Sequence, residues 1–258
     1  MKDIIKAQFY QLTKEFIPFF TFIGITLCSV LITMAADLQV FGETEPRTGC
    51  ECFAESSFGF VTMGMLFVAI TVPMMCGNDF LDKTTNYELL SGHIRRDVFF
   101  GRAIPTIIIG TLGCIVASIA PIVVATIRNG WGDYIGIEDA CFRLFLMFFP
   151  VIRIICELIF LSFIIKNPYI VMALGWLSVM IGNMLIGTGG YFSLGITTIG
   201  KVVTVDAWST YGLEENVNFI YDAAFPAADV ALVIISSVVV SAAALYLGYI
   251  FFKKDDLN

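Results

Sequence analysis

"IPTIIIGTLGCIVASIAPIVVATI", residues 104–127, runs for 24 residues without a charge. A bilayer core is about 30 Å thick and a helix rises about 1.5 Å per residue, so about 20 apolar residues cross it. Outward from this stretch the pattern recurs at 16–36 and 58–77 on one side and at 141–165, 169–188 and 228–252 on the other. These runs are apolar all round. A transmembrane barrel would instead alternate apolar and polar residues. Composition agrees: the 258 residues are 58% hydrophobic and 14% charged, against about 25% charged in a soluble domain. The expected fold is all-α, a polytopic membrane protein of six transmembrane helices forming a single domain over 1–258. No internal repeat or low-complexity tract divides it.

The segments between the runs carry the charge. Residues 1–15 place Ile4, Ile5, Phe9 and Leu12 on one helical face, continuing to Phe16, with Lys2, Lys6, Gln11 and Lys14 elsewhere. Such a segment reads as an amphipathic helix lying at the membrane interface, not as a cleavable signal peptide. Lys and Arg distribute unequally. With the N-terminus inside, the inner segments hold Lys2, Lys6, Lys14, Lys83, Arg95, Arg96, Arg102, Lys166, Lys253 and Lys254; the outer segments hold Arg47, Arg128 and Lys201. By the positive-inside rule both termini are cytoplasmic. The first outer segment, 37–57, is a polar loop. Residues 189–227 are half apolar and rich in glycine and aromatics, which fits either a re-entrant, semi-buried element or a cap on the helix ends.

Several chemistries have no support. There is no G-x-x-x-x-G-K-[ST] loop to cradle ATP phosphates, no H-E-x-x-H and no G-x-S-x-G. His93 is the one histidine and reads as a solvated loop residue. No catalytic residue and no metal ligand set is expected, and nothing points to nucleic acid. Cys50, Cys52 and Cys141 fall on the outer side, where a disulfide or free thiols are both compatible with the spacing.

Charge within an apolar run is costly and marks either function or a packing device. The run at 141–165 carries Arg143, Arg153 and Glu157. Arg143 lies near the outer end, where its stem is expected to snorkel. Arg153 and Glu157 are four residues apart on one face and able to pair; they line a wet pathway or lock helices together. Asn183, beside Gly182, reads as a polar contact between close helices.

The longest inner connection, 79–103, is the most informative. Its Asp79, Phe80, Thr84, Leu89, Gly92 and Arg95 resemble the D-[FY]-x-x-G-T-x-x-x-x-L-x-x-G-x-x-R loop of type-two ABC exporter permeases. The group includes bacitracin, lantibiotic and modulin-type peptide exporters. Lys83 stands where that pattern has glycine, and the ending YIFFKKDDLN is similar to the family's aromatic–basic–Asp tail. The resemblance implies that this loop is a coupling helix seated in a separate ATPase subunit, which would carry the ATP and magnesium while this chain is no enzyme. It implies a second permease copy, more readily identical than different. It also implies export of an amphipathic or hydrophobic peptide across a bacterial plasma membrane. The residues agree with a capped helix: acidic Asp79 and Asp82 and the hydroxyls of Thr84 or Thr85 suit its start, and Gly92 suits its stop. Asp82, Thr84, Tyr87, Glu88, Leu89, Leu90 and Arg95 are the coupling candidates, with Tyr87, Leu89 and Leu90 as apolar anchors. An ion-coupled secondary transporter and a peptide-binding sensor or immunity protein that moves nothing are the rival readings.

Overall fold

A computed structural model describes residues 2–14, 16–37, 48–55, 59–81, 84–133, 135–184, 190–192, 195, 198–199, 202, 207–209, 219–221 and 226–254. The chain is predominantly helical. Helix α1 (Lys2–Lys14) leads into α2 (Phe16–Asp37), and a short α3 (Gly49–Glu55) precedes α4 (Gly59–Leu81). A second short helix, α5 (Thr84–Leu90), leads to α6 (Arg95–Asn129), α7 (Ile137–Ile165), α8 (Pro168–Met184) and α9 (Ala227–Lys254). Between α8 and α9, Ala207–Ser209 (β1) and Phe219–Tyr221 (β2) pair antiparallel with Trp208 opposite Ile220, a minor element in an all-α fold.

Among the described residues four helices are long and apolar enough to cross a membrane: α2 over 18–35, α6, α7 and α9. Two shorter apolar stretches, Met63–Asn78 in α4 and Pro168–Gly182 in α8, lie at the second and fifth expected spans. The outward surface is oily: Phe19, Phe20, Leu27 and Leu31 of α2 and Val238 and Val239 of α9 are all exposed. Hydroxyls inside these helices turn back to their own backbone. Ser162 donates to the Leu158 carbonyl at 2.8 Å, and Thr126 to that of Ile122 at 2.7 Å. An apolar helix thereby keeps its polar side chains satisfied.

Helix α7 packs most heavily on α9, and α4 lies between α6 and α8. Small residues set the approach. A Cβ on Gly64 of α4 would stand 2.4 Å from the Ser118 Oγ of α6, and one on Gly175 of α8 would meet the Ala69 Cβ of α4 at 3.2 Å. Without a strong hydrophobic drive between helices in lipid, such close backbone contact is what brings them together.

The two ends of the bundle differ. At one, Phe80 (α4), Phe99 (α6), Phe163 (α7) and Phe252 (α9) form a ring cluster, with centroids 4.5 Å apart for Phe99 and Phe163 and 5.2 Å for Phe163 and Phe252. Ile4 of α1 seats against Gly101 of α6 near the same end, where a Cβ would come within 2.8 Å of it. At the other, α3 is pinned to the end of α6: Gly49 N–H donates to the Gly130 carbonyl at 2.9 Å and Cys50 N–H to that of Trp131 at 2.7 Å. A tight corner joins α7 to α8. Lys166 takes φ 54°, and the Asn167 Oδ1 accepts the Tyr169 amide at 3.0 Å, capping α8 before its first-turn Pro168.

Candidate functional site

Helix α5 lies at the aromatic end. Its stop is explicit. Gly92 adopts φ +94°, its amide bonds the Leu89 carbonyl at 3.1 Å, and the His93 amide bonds that of Glu88 at 3.3 Å. This nested pair is the Schellman arrangement, which needs a left-handed residue and therefore favours glycine. His93 itself is exposed, as expected.

Seven residues of helix present two faces. Tyr87 is 67% exposed, Leu90 82% and, just beyond the turn, Ile94 70%. Thr84 is exposed too. The opposite face is consumed by the protein itself. Thr85 is fully buried, and Leu89 is half-buried against the core. Glu88 accepts the Arg102 Nη2 at 2.9 Å, and Arg102 Nη1 donates to the Thr85 hydroxyl at 2.6 Å. Arg102, on α6, has no exposed surface. One expectation is corrected here. Leu89 is not an outward anchor, because the helical period turns it toward the core. Glu88 neutralises the buried Arg102 guanidinium while a quarter of its side-chain surface stays exposed.

Arg95, a coupling candidate, donates through its Nη1 to the carbonyls of Phe252 and Lys253 at 3.0 Å each. These belong to the last turn of α9, whose carbonyls have no intrahelical donor and carry the negative end of the helix dipole. The groove between α1 and α5, bordered by Asp3, Ala7, Tyr87, Glu88 and His93, is open.

The α7 charges form a second cluster. Arg153 Nε meets Glu157 Oε1 at 2.8 Å, the i, i+4 pair expected from spacing. Arg153 Nη1 also donates to the Tyr191 carbonyl at 2.8 Å, and the Thr198 hydroxyl reaches the same oxygen at 3.2 Å. Arg143 does not snorkel to a surface. It is 3% exposed and its Nη1 donates to the Val202 carbonyl at 3.0 Å. Both arginines thus supply donors to backbone carbonyls in the segment between α8 and α9. Gly195 touches α7 so closely that a Cβ would stand 2.4 Å from Ile154 Cγ1. Between α7 and α8, Glu157, Ile154, Leu158, Leu174, Val179 and Gly195 border a cavity of about 130 Å³. Most of 189–227, Asp82 and the Asn183 side chain lie outside the described residues.

No disulfide joins any of the cysteines; Cys50 and Cys52 are buried on α3, while Cys141 is exposed on α7. Among the described residues no group of three His, Cys, Asp or Glu side chains could hold a metal ion. Arg102 and Ile94 were missed by sequence reading. The available signals were an arginine at the mouth of an apolar run, seven residues from Arg95, and an isoleucine placed four residues beyond Leu90. No family model, curated protein or solved structure matches the chain.

Proposed function

We propose that this chain is the membrane-spanning permease subunit of an ATP-driven exporter. The observation that carries the reading is the outward apolar face of α5. Tyr87, Leu90 and Ile94 stand exposed on a connection otherwise built for water, and such a face is held ordered for a partner to cover. The partner is a separate ATPase, since the sequence contains no phosphate-binding loop of the Walker type. ATP and magnesium belong to that partner, and this chain acts as a transport subunit without chemistry of its own.

The remaining features agree with this reading. Helix α4 has 23 residues, about 35 Å at helical rise, so with α8 the bundle supplies six spans in lipid. The end bearing α5 also holds Arg95, Arg96, Arg102, Lys166, Lys253 and Lys254, and the positive-inside rule makes it cytoplasmic. In this arrangement α1 lies along the inner interface. Apolar grooves of about 430 Å³ between α2 and α6 and about 660 Å³ between α4 and α8 face the surrounding membrane, where lipid or a second copy of the chain covers them. The cargo is an amphipathic or hydrophobic peptide by resemblance, and the host membrane is a bacterial plasma membrane.

The test is purification of the tagged chain from its native membrane and assay of the complex for ATP hydrolysis in nanodiscs. Recovery of an ATPase from the unaltered chain, lost on Leu90→Asp, is the expected result. An unaltered chain that brings down no ATPase ends the proposal. A second reading, an ion-coupled transporter, draws on Glu157 beside its cavity. Proton- or sodium-driven flux by the chain alone in liposomes, abolished by Glu157→Gln, would favour it.

A further inference from the structure

Three side chains on one stripe of α6 tie separate elements together. Arg95, Phe99 and Arg102 stand at i, i+4 and i+7, one face of a helix. Arg95 holds the last turn of α9 through the Phe252 and Lys253 carbonyls, both at 3.0 Å. Phe99 sits among Phe163 and Phe252, with centroids 4.5 and 6.2 Å away. Arg102 holds α5 through Thr85 at 2.6 Å and Glu88 at 2.9 Å. The hold continues to α4: Thr106 donates to the Arg102 carbonyl at 2.8 Å and its oxygen lies 3.4 Å from Cys76 Sγ.

We propose that Arg102 and Arg95 are positioning residues that make α5, the start of α6 and the end of α9 one rigid bracket, so that a push on α5 moves two helices of the bundle together. This deepens the exporter reading and rests on it for the source of the push. A solvated surface helix of seven residues is too short to be stable alone, so force applied to it would dissipate in fraying unless a buried contact bound it to a longer element. Arg102 is suited to that task. A guanidinium presents its donors in a fixed fork, and here two of them engage two side chains of α5 one turn apart. The pair is shielded from water on the Arg102 side, with no surface exposed there, so its geometry is less loosened by solvent than an open ion pair.

The bracket is tested by nitroxide labels at Leu90 on α5 and Phe251 on α9, both exposed, with inter-label distances measured on the purified chain in nanodiscs without any partner. The unaltered background is expected to give one narrow distance peak. Arg102→Met keeps the stem and removes the charge, and with it the narrow peak is expected to be lost; Arg95→Gln is expected to do the same by freeing α9. Glu88→Ala, a change on the surface helix, serves if Arg102→Met does not assemble. A narrow peak retained in the Arg102 or Glu88 variant overturns the bracket. A second arm uses the ATPase complex without a label on α5, with labels at Val116 and Phe251 and the ATPase trapped with ADP and vanadate. The distance shift seen in the unaltered chain is expected to vanish in Arg102→Met while the ATPase remains bound. A shift of equal size in that variant also overturns the proposal. If the unaltered chain binds no ATPase, the exporter reading fails and the partner-free distances still decide the bracket.

Discussion

Arg153 serves two acceptors at once, the Glu157 carboxylate and the Tyr191 carbonyl. A simple neutralising pair would show nearly full rescue when both charged partners are removed, because each single deletion leaves one orphaned charge. Here the rescue should be incomplete. Arg153→Ala is expected to destabilise more than Glu157→Ala, by about 1–2 kcal/mol, since a charge-assisted bond to Tyr191 is lost as well. The double change should recover the ion-pair part of that loss and not the rest, Thr198 remaining as the carbonyl's other donor. Thermal unfolding of the four proteins in one detergent measures it; full rescue would show that the Tyr191 bond contributes nothing. The i, i+4 pairing was legible in the sequence because helical spacing alone places those side chains together. The carbonyls were not. Tyr191 lies 38 residues from Arg153, and Val202 lies 59 from Arg143, with no periodic relation to either arginine.

Helix α5 shows how two adjacent leucines acquire opposite tasks. A step of one residue turns a helix by about 100°, enough to send Leu90 into solvent and Leu89 against the core. Leu90→Asp is therefore expected to leave thermal stability unchanged and, on the exporter proposal, to release the ATPase. Leu89→Asp should cost at least about 2 kcal/mol of stability in the isolated chain, because it buries an unpaired carboxylate. Equal stability of the two variants would contradict this assignment of faces. Two end signals give smaller expectations. Gly92→Ala forces a Cβ into the left-handed region and should cost about 1–2 kcal/mol, and Asn167→Ala removes the cap of α8 for about 1 kcal/mol; unfolding midpoints check both. The first signal was readable beforehand, because a glycine closing α5 acts through local backbone rules. Which face of α5 remained open was not readable, because a seven-residue amphipathic helix carries apolar groups on both sides and burial alone separates them.

At the scale of the molecule the bundle brings the polar connections to two ends, with α5, Arg95 and the end of α9 at one and α3 with the end of α6 at the other. His93 and Asp133 are both exposed and lie at opposite ends. With the native cysteines replaced by alanine, single cysteines at these positions should react differently with an impermeant maleimide on intact cells: labelling at 133, none at 93. The reverse pattern would place α5 outside, away from any cytoplasmic ATPase, and the exporter reading would go with it. The amino-acid sequence by itself determined the membrane character, the placement of the apolar helices and the alternation of charged connections. These are properties of length, hydropathy and charge, which each segment carries without reference to any other. Tertiary structure alone decided the carbonyl partners of Arg143 and Arg153, the pairing of Arg102 with Glu88, and the hold of Arg95 on the end of α9. Each of these depends on which carbonyl or carboxylate lies within about 3 Å of a guanidinium once the helices have packed. A chain whose helices are apolar all round does not announce its packing faces, because lipid and neighbouring helices accept the same side chains.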